Sequence, residues 1–375
     1  MEKIFTALGL MSGTSGDGVD ASIISSDGIT QYSVILNQYF KYDKKIYENL
    51  HDIKAKIFRK EDLEKNKNEI NKLEKEITLF HAKVVNKVLS LTDKKIDFIG
   101  FHGQTIYHSP YEKISKQIGD GNLLSQLTKK NVINEFRQND IKNGGEGAPL
   151  VPIFHRQIVK QKKIELPVCV LNIGGIANIT VLGKFNKEGV LSKDLGPGNC
   201  LIDEWIRKNT KNKFDNNGEI AKKGKTDDLI LNQALDNFEN RKYQGSSSFD
   251  TKDFSLSFVR GLSIEDGAAT LTDFTGRVIE QGLLSNLIKI KNKMFKVLIC
   301  GGGRKNLTLI ESIKKRVQKN LIIQPIDDYG IDGDYVESQA FAFIAIRSFL
   351  GLPISFPETT GCKEPCTGGV FIKNY

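Results

Sequence analysis

The stretch "LGLMSGTSGDGVDASII", Leu8 to Ile24, places two apolar runs around a cluster of glycines, hydroxyl groups and two aspartates. The runs predict two strands, Ile4–Met11 and Asp20–Ser25, which the cluster joins. Glycines in Gly13–Asp20 can adopt positive φ, so several backbone N–H groups can converge on one phosphate. The same residues are typical of a tight hairpin, for which Asp-Gly is a strong signal. The stretch alone leaves both interpretations open, and it lacks the lysine of a Walker-type loop.

Length and charge narrow the class of protein. A chain of 375 residues is long for one hydrophobic core, so two domains are expected. The net charge of +9 invites a nucleic-acid partner, but the lysines of "KNKNEINKLEKE" are interleaved with glutamates, as on a solvated helix face. We therefore expect an anionic small molecule and no nucleic acid. With no long apolar run and no secretory signal, the sequence predicts a cytoplasmic protein without a membrane partner, and leaves a homodimer open.

The order of predicted elements indicates an α/β fold. A third strand is predicted at Tyr32–Phe40, helix over much of Lys44–Leu91, and a buried strand at Ile96–Phe101. Residues 107–167 are rich in glycine and are expected to be irregular. A second apolar hairpin, "PVCVLNIGGIANITVL" (Pro167–Leu182), then repeats the order of elements at the start of the chain.

This repetition predicts two lobes of related build with a cleft between them. The N-terminal lobe is expected to comprise residues 1–125 with roughly 355–375, and the C-terminal lobe residues 126–354. Helices are predicted in the second half, among them Thr270–Lys293 and Asp334–Leu350.

Two further glycine-rich turns follow strand-like runs. In "DLGPGN" (Asp194–Asn199) the N–H groups at a helix start could meet a phosphate chain, and Asp194 could take a proton from a nucleophile or simply cap the turn. The three glycines of "CGGGRKN" (Cys300–Asn306) permit close approach of a ligand, although a glycine triplet alone is weak evidence. Together with the opening stretch, these turns predict a bound nucleotide.

Five polar side chains are candidates for a second ligand. His102 and Gln104 of "FHGQT" end a strand, where ligand contacts are common, although such a histidine is more often structural. Arg137 could grip a carboxylate in bidentate fashion or pair with Asp140. Glu337, in the first turn of a helix, is equally consistent with function and with favourable placement in the helix dipole.

Acidic and sulfur side chains raise the question of metal. Asp17 and Asp20 would repel a phosphate unless a divalent cation lay between them, so the opening loop indicates Mg²⁺. Cys362 and Cys366 in "GCKEPC" could form a redox or metal pair, but their spacing matches no common zinc pattern and no histidine lies near. We expect this pair to be reduced and without a metal.

Taken together, these segments resemble the anhydro-N-acetylmuramic acid kinase family, of the acetate/sugar kinase, Hsp70 and actin superfamily. The similar blocks follow one another along nearly the whole chain: "MSGTSGDGVDAS", "FHGQTIYH", "QIGDGNLLS", "FRQNDIKNGGEGAPLVP", "LNIGGIANIT", "DLGPGN", "EDGAATLTDFT", "CGGGRKN" and "DGDYVESQAFAFIA". The resemblance implies a ribonuclease-H-like build and hydrolytic opening of a 1,6-anhydro ring. It also implies ATP-dependent phosphorylation at O6, giving N-acetylmuramic acid 6-phosphate and ADP in peptidoglycan recycling.

The resemblance also implies roles for the candidate residues. Asp194 would activate the water, and backbone N–H groups with Mg²⁺ at Asp17 or Asp20 would replace the missing lysine. The alternatives are a kinase of another amino sugar and a non-catalytic, nucleotide-switched binding protein. The expected ATP-binding residues are Gly13, Thr14, Ser15, Gly16, Asp17, Gly18, Val19, Asp20, Gly196, Gly198, Asn199, Gly301, Gly302 and Gly303. The expected sugar-binding residues are Glu337, Arg137, Asp140, His102 and Gln104.

Two segments depart from the family pattern. "GSSSFDTKDF" (Gly245–Phe254) stands where the family carries a Lys-Ser motif with a following arginine, so the basic positions are changed. Leu195 stands where threonine is common, which removes a hydroxyl group beside Asp194. Neither change touches the acidic residues that the mechanism requires.

Overall fold

The structure is a computed structural model that describes residues 3–184, 189–242, 248–287, 294–317 and 320–374. Part of the segment with changed basic positions, residues 245–247, and the end of the predicted helix Thr270–Lys293 lie outside these ranges. The strands are β1 Phe5–Ser12, β2 Gly18–Ser26, β3 Tyr32–Lys41, β4 Phe98–Ser109, β5 Ile114–Ile118, β6 Asn131–Asn134, β7 Val168–Ile173, β8 Ile176–Leu182, β9 Val190–Pro197, β10 Phe295–Cys300, β11 Leu321–Pro325 and β12 Val370–Ile372.

The helices of the described ranges vary in length from four to 24 residues. They are α1 Lys44–Lys56, α2 Lys60–Lys65, α3 Lys67–Leu89, α4 Gly121–Thr128, α5 Gln138–Lys142, α6 Pro152–Gln161, α7 Cys200–Asn209, α8 Glu219–Lys223, α9 Asp228–Lys242, α10 Ile264–Leu287, α11 Leu307–Lys314, α12 Val336–Phe349 and α13 Pro357–Thr360. None of the helices within the described ranges is long and apolar enough to cross a membrane.

The region 107–167 is not irregular, as the sequence suggested. It contains β5, β6 and the helices α4, α5 and α6. These elements are four to ten residues long, too short for a period of 2 or 3.6 to stand out against the glycines between them. Local signals did exist: Asp120 caps α4 by accepting a hydrogen bond from the Leu123 N–H, and Pro152 begins α6.

The chain divides into two compact units. Unit 1 comprises residues 1–165, 190–192 and 335–375, and unit 2 comprises residues 166–189 and 193–334. The predicted lobe boundaries after residue 125 and near residue 355 do not coincide with these divisions. The reason lies in long-range packing: β6 pairs in parallel with β4 of unit 1, and α12 packs against β1.

Unit 1 contains a seven-stranded sheet in its described residues, with the order β12-β6-β4-β1-β2-β3 and β5 beside β4. β1 and β2 are antiparallel, with Met11 opposite Asp20, whereas β1 and β4 are parallel. Glycines let α12 approach closely: a Cβ on Gly9 would lie 1.9 Å from the Ser338 carbonyl oxygen, and one on Gly100 would lie 2.4 Å from that of Phe341. The strand hairpin predicted from the opening stretch is thus confirmed, at the centre of this sheet.

The described part of unit 2 contains a five-stranded sheet in the order β11-β10-β7-β8-β9. β7 is buried along its whole length, antiparallel to β8 and parallel to β10, as its unbroken apolar sequence predicts. In both sheets the first strand (β1 or β7) lies between the second (β2 or β8) and the fourth (β4 or β10), and the third (β3 or β9) lies at the edge. A parallel strand, β6 or β11, follows the fourth. This shared order is the ribonuclease-H-like build, so the predicted α/β fold of two related halves is confirmed.

Candidate active site

The turn between β1 and β2, residues 13–17, is fixed by hydrogen bonds at its base, and its tip is exposed. The Gly16 N–H donates to the Gly13 carbonyl at 3.1 Å, and Gly16 has a φ of +63°. Beneath the tip, the buried Ser12 hydroxyl lies 3.1 Å from the Gly18 carbonyl oxygen and 2.8 Å from the Tyr42 hydroxyl. Thr14 and Ser15 are exposed. The turn therefore presents hydroxyl groups on a braced backbone, as a phosphate-binding hairpin requires.

Asp17 and Asp20 both lie beside the Tyr39 phenol. Burial, and after it the negative charges of Asp17 and Asp20, raises the pKa of Tyr39, which also donates a hydrogen bond to the Asp17 carbonyl oxygen. One Asp17 carboxylate oxygen accepts from the Ser15 hydroxyl at 2.6 Å. Two neighbouring carboxylates are hard oxygen donors of the kind that bind Mg²⁺ together with phosphate oxygens. These residues therefore fit the expected cation.

Two further side chains contact the turn. The Lys54 ammonium donates to the Thr14 carbonyl oxygen at 2.8 Å, so a helix supplies a positive charge that the loop itself lacks. Sequence reasoning missed Lys54 because it lies 40 residues away, among many other lysines of an exposed helix. Gln104, expected in the sugar site, donates instead to the Gly13 carbonyl oxygen at 3.0 Å.

His102, which is buried, forms a hydrogen-bonded pair with Arg137, which is half-buried. The Arg137 guanidinium donates to His102 Nε2 from two nitrogens, at 2.9 and 3.2 Å, while His102 Nδ1 lies 2.9 Å from the Gly103 carbonyl oxygen. Burial, followed by the charge of Arg137, holds the pKa of His102 well below its usual value, so the imidazole is neutral. The tautomer with the proton on Nδ1 satisfies both contacts. His102 thus orients the guanidinium of Arg137.

Asp140 lies close to Arg137, and both contact Gly147. Arg137 donates to the Gly147 carbonyl oxygen at 2.8 Å, and the Gly147 N–H donates to Asp140 at 2.7 Å. The other Asp140 oxygen accepts from the Thr360 hydroxyl at 2.6 Å, and the residue is only 1% exposed. Asp140 therefore anchors the loop that Arg137 contacts. We had expected Asp140 to bind the sugar.

Glu337 lies in the first turn of α12 and is half-buried. Its neighbours on the helix are fixed to the sheet: the Ser338 hydroxyl lies 2.7 Å from that of Ser22, and Gln339 donates to Asn37 at 3.2 Å. Glu337 is thus carried on a rigid element of unit 1, as are His102 and Arg137.

In unit 2, Asp194 lies near the end of β9 and is 7% exposed. One carboxylate oxygen accepts a hydrogen bond from the Phe249 N–H at 2.9 Å. Phe249 is held in turn by ring contacts with Phe238 and Phe254. The segment that departs from the family pattern is therefore the one that orients Asp194, a contact across 55 residues that the sequence did not indicate.

The loop after Asp194 packs onto the turn between β7 and β8. The N–H groups of Gly198 and Asn199 donate to the carbonyl oxygens of Gly175 and Gly174 at 2.9 and 2.8 Å, and that of Cys200 donates to Gly175 at 3.3 Å. These three amides are therefore bonded within the chain, whereas we expected the amides at this helix start to meet a phosphate. The glycines of this loop instead allow the backbone to pack closely.

The Gly301–Gly303 turn has one open position. A Cβ on Gly301 or Gly303 would lie within 2.4 Å of Asn172 or Ile173, whereas one on Gly302 would meet nothing within 4 Å. The following Arg304 binds Asp327 through two nitrogens, at 2.8 and 3.1 Å. Burial would raise the pKa of the Asp327 carboxyl, but the hydrogen bonds from Arg304 outweigh it and hold that pKa below its usual value. Sequence reasoning did not identify this ion pair, in which the Arg304 side chain is largely buried and Asp327 is exposed.

Three features together define a class of protein. They are two sheets of ribonuclease-H-like order, a hairpin of glycines and hydroxyl residues in unit 1, and a buried, oriented carboxylate in unit 2. They are the features of a sugar kinase of the actin-like fold.

Comparison with known proteins identifies the family. The model of the anhydro-N-acetylmuramic acid kinase family matches residues 5–374. The chain is 57% identical to the anhydro-N-acetylmuramic acid kinase of Pelagibacter ubique over the full length of both, and 38% identical to that of Zymomonas mobilis over 97% of this chain and 98% of the other. Among solved structures, a hexokinase from Schistosoma mansoni complexed with glucose covers 91% of this chain and 85% of its own, with a TM-score of 0.42 and 12% identity. The chain belongs to the anhydro-N-acetylmuramic acid kinase family.

Proposed function

We propose that this chain is an ATP-dependent kinase that opens the 1,6-anhydro ring of anhydro-N-acetylmuramic acid with water and phosphorylates O6. The products are N-acetylmuramic acid 6-phosphate and ADP, and the reaction belongs to peptidoglycan recycling. Family membership supports the substrate and the reaction class. Because ATP is the phosphoryl donor, we place the reaction in the cytoplasm.

The observation that carries the proposal is the buried, oriented carboxylate of Asp194. Hydrolysis of an acetal needs a base that removes a proton from water on the side opposite the departing oxygen. The hydrogen bond from the Phe249 N–H fixes one Asp194 oxygen, which aims the carboxylate at a defined position. A single carboxylate is sufficient here because the departing O6 is captured by the phosphoryl group and needs no separate acid.

The hairpin of unit 1 would hold the phosphates. Phosphoryl transfer depends mainly on positioning and on neutralising charge. Thr14 and Ser15 offer hydroxyl donors, and Lys54 adds a positive charge through the Thr14 carbonyl. Asp17 and Asp20 would hold Mg²⁺, which when bound neutralises charge on the phosphates.

Arg137 would recognise the lactyl carboxylate of the sugar. Its guanidinium is always charged and can donate two hydrogen bonds to a carboxylate in bidentate geometry. The neutral His102 fixes the guanidinium from behind without competing for the anion. Glu337, on the first turn of α12, would bind a sugar hydroxyl.

The replacement Asp194→Asn tests the proposal, since asparagine keeps the shape and still accepts the Phe249 N–H but is no base. We expect ADP release that depends on anhydro-N-acetylmuramic acid to fall about 1,000-fold. The matched control is Glu204→Gln, which removes a surface carboxylate that pairs with Lys208 in the same unit. Robust ATP hydrolysis without sugar, unaffected by Asp194→Asn, would instead indicate a nucleotide-switched binding protein.

A single turnover in ¹⁸O-labelled water tests the coupled hydrolysis. The label should enter the anomeric hydroxyl of the product and be absent from its phosphate. Label in the phosphate would mean that water attacks phosphorus, and the proposed role of Asp194 would then be wrong. Phosphorylation of other amino sugars at a similar kcat/KM would overturn the assigned substrate.

A further inference from the structure

A buried cluster of two thiols and a carboxylate lies in unit 1. Among the described residues, Asp140, Cys362 and Cys366 form the one group of three potential metal-ligating side chains whose ligand atoms all lie within 4.8 Å of one another. Their exposures are 1%, 2% and 4%. The cluster joins two segments more than 200 residues apart in sequence, as the hydrogen bond between Thr360 and Asp140 shows directly.

The loop "CKEPC" brings the two sulfur atoms to one point. Cys362 Sγ and Cys366 Sγ each lie 3.1 Å from the same acceptor, the Glu364 carbonyl oxygen. The second cysteine is fixed by backbone pairing with Ser355, whose N–H donates to the Cys366 carbonyl oxygen while the Cys366 N–H donates back. The convergence of the thiols therefore follows from the fold of the loop.

The Asp140 carboxylate is oriented from the other side. Each of its oxygens accepts one hydrogen bond, from the Thr360 hydroxyl at 2.6 Å and from the Gly147 N–H at 2.7 Å. A carboxylate oxygen has two lone pairs, so each retains one for a further partner. Gly145 lets the loop pass close by, because a Cβ there would lie 2.2 Å from an Asp140 oxygen.

The spacing of the two cysteines led us to expect no metal, but with Asp140 beside them we propose that Asp140, Cys362 and Cys366 bind a thiophilic divalent cation of the Zn²⁺ type. Zinc binds thiolate sulfur at about 2.3 Å and carboxylate oxygen at about 2.0–2.2 Å in tetrahedral geometry, which puts neighbouring ligand atoms about 3.5–3.8 Å apart. That separation lies within the observed 4.8 Å limit. The Glu364 carbonyl oxygen, which lies 3.1 Å from both sulfur atoms, would be the fourth ligand.

The charge of the buried site does not change on binding. Before binding, the two thiols are neutral and the carboxylate carries one negative charge. One divalent cation displaces two thiol protons, which pass to solvent, so the two thiolates, the carboxylate and the cation again sum to one negative charge. No net charge is added to the interior. The Glu364 carbonyl oxygen, which accepts from two S–H groups before binding, would contact the cation afterwards.

The bound cation would join the C-terminal segment to the loop that Arg137 contacts. Asp140 accepts from the Gly147 N–H, and Arg137 donates to the Gly147 carbonyl oxygen. The cation is therefore structural, and its site is separate from the residues to which we assign the phosphates and the general base.

Cobalt titration of the reduced full-length protein, without air, tests the site, because thiolate-bound Co²⁺ absorbs in the near ultraviolet. We expect a charge-transfer band that saturates at one Co²⁺ per chain and is displaced by Zn²⁺. Cys362→Ser and Cys366→Ser should each lose most of the band. Zn²⁺ should also raise the Tm of the parent protein and leave that of both variants unchanged.

Two variants serve as matched controls. Glu364→Gln removes an exposed charge but keeps the carbonyl group, and Cys200→Ser removes a thiol of unit 2; both should retain the full band. Circular dichroism without metal checks that all variants are folded. If the serine variant is not folded, Cys362→Ala replaces it. The proposal is overturned if reduced protein gives no charge-transfer band, or if the band survives in both cysteine variants.

Discussion

The two units of this protein share one strand order, but the turns between their first two strands differ. In unit 1 the β1–β2 turn spans residues 13–17, and its tip carries the exposed hydroxyls of Thr14 and Ser15. In unit 2 the β7–β8 turn has only two residues, Gly174 and Gly175, and their carbonyl oxygens accept three N–H groups from the loop after β9. The first turn is open, and the second is covered by its own chain.

This difference shows that topology alone does not assign function. A hairpin with an open tip has room for an external anion, whereas one whose carbonyls accept hydrogen bonds from a neighbouring loop holds that loop in place. In unit 2 the covered turn secures residues 198–200, just beyond the proposed base Asp194. We therefore expect substitutions at the covered turn to affect stability most, and those at the open turn to affect nucleotide binding.

The largest effect on stability is expected for Gly198→Ala. The new Cβ would lie 2.3 Å from the Gly174 carbonyl oxygen, a backbone atom that cannot move without breaking the turn. We expect the free energy of unfolding, measured by urea denaturation, to fall by about 3 kcal/mol. Gly302→Ala is the control, since its Cβ meets nothing within 4 Å and its stability should match the parent. Equal losses for both variants would refute the contrast between covered and open glycines.

A smaller loss is expected for Gly16→Ala in the open turn. Its φ of +63° costs an alanine energy, and the Cβ would lie 2.6 Å from Leu50 Cδ2, which is the end of a side chain and not a backbone atom. Unfolding free energy should fall by about 2 kcal/mol, and the KM for ATP should rise. Gly13→Ala, whose nearest contact would be Ser15 Oγ at 3.8 Å, should not lose stability. An unchanged KM in a folded Gly16→Ala protein would remove the turn from the nucleotide site.

Acid should act on unit 1, which contains all five histidines of the chain. Burial lowers the pKa of His81 to about 4, only partly offset by its contact with the Ile77 carbonyl. Above the unfolded pKa of 6.5, His81 is neutral in both the folded and the unfolded state, and its contribution to the free energy of unfolding is fully present. Below it, the unfolded chain takes up a proton that the folded chain refuses, so stability falls from pH 6.5 towards pH 4.

The variant His81→Gln isolates this contribution. Between pH 7 and pH 5.5 the parent should lose about 1 kcal/mol more unfolding free energy than the variant. Denaturation at a series of pH values measures the difference. Superimposable pH profiles would show that His81 is not protonated on unfolding in this range.

The smallest effect is expected for Lys54→Met. Loss of the ammonium group that donates to the Thr14 carbonyl should raise the KM for ATP about threefold, because an exposed charge is well screened. Lys56→Met is the control: it lies on the same helix but pairs with Glu69, away from the turn. If both variants change KM equally, the effect is one of overall charge and not of this contact.

Much of the fold could be predicted from short-range patterns. The strands β1 and β7 are mostly apolar runs, and the repeated hairpin revealed two related halves. The lobe boundaries could not be predicted, because they depend on which sheet each helix packs against. α12, for example, follows unit 2 in sequence but packs onto β1 through Gly9.

By itself, the sequence determined the α/β class, the family and the glycine-rich turns, because these depend on residue types in short, ordered stretches. Only the tertiary structure decided which distant groups meet: Lys54 with the open turn, Phe249 with Asp194, and Asp140 with Cys362 and Cys366. The covered amides of Gly198 and Asn199 belong to the same category. Hydrogen bonds and metal ligation act over about 3 Å, and only the packing of whole sheets and helices brings residues far apart in sequence to that distance.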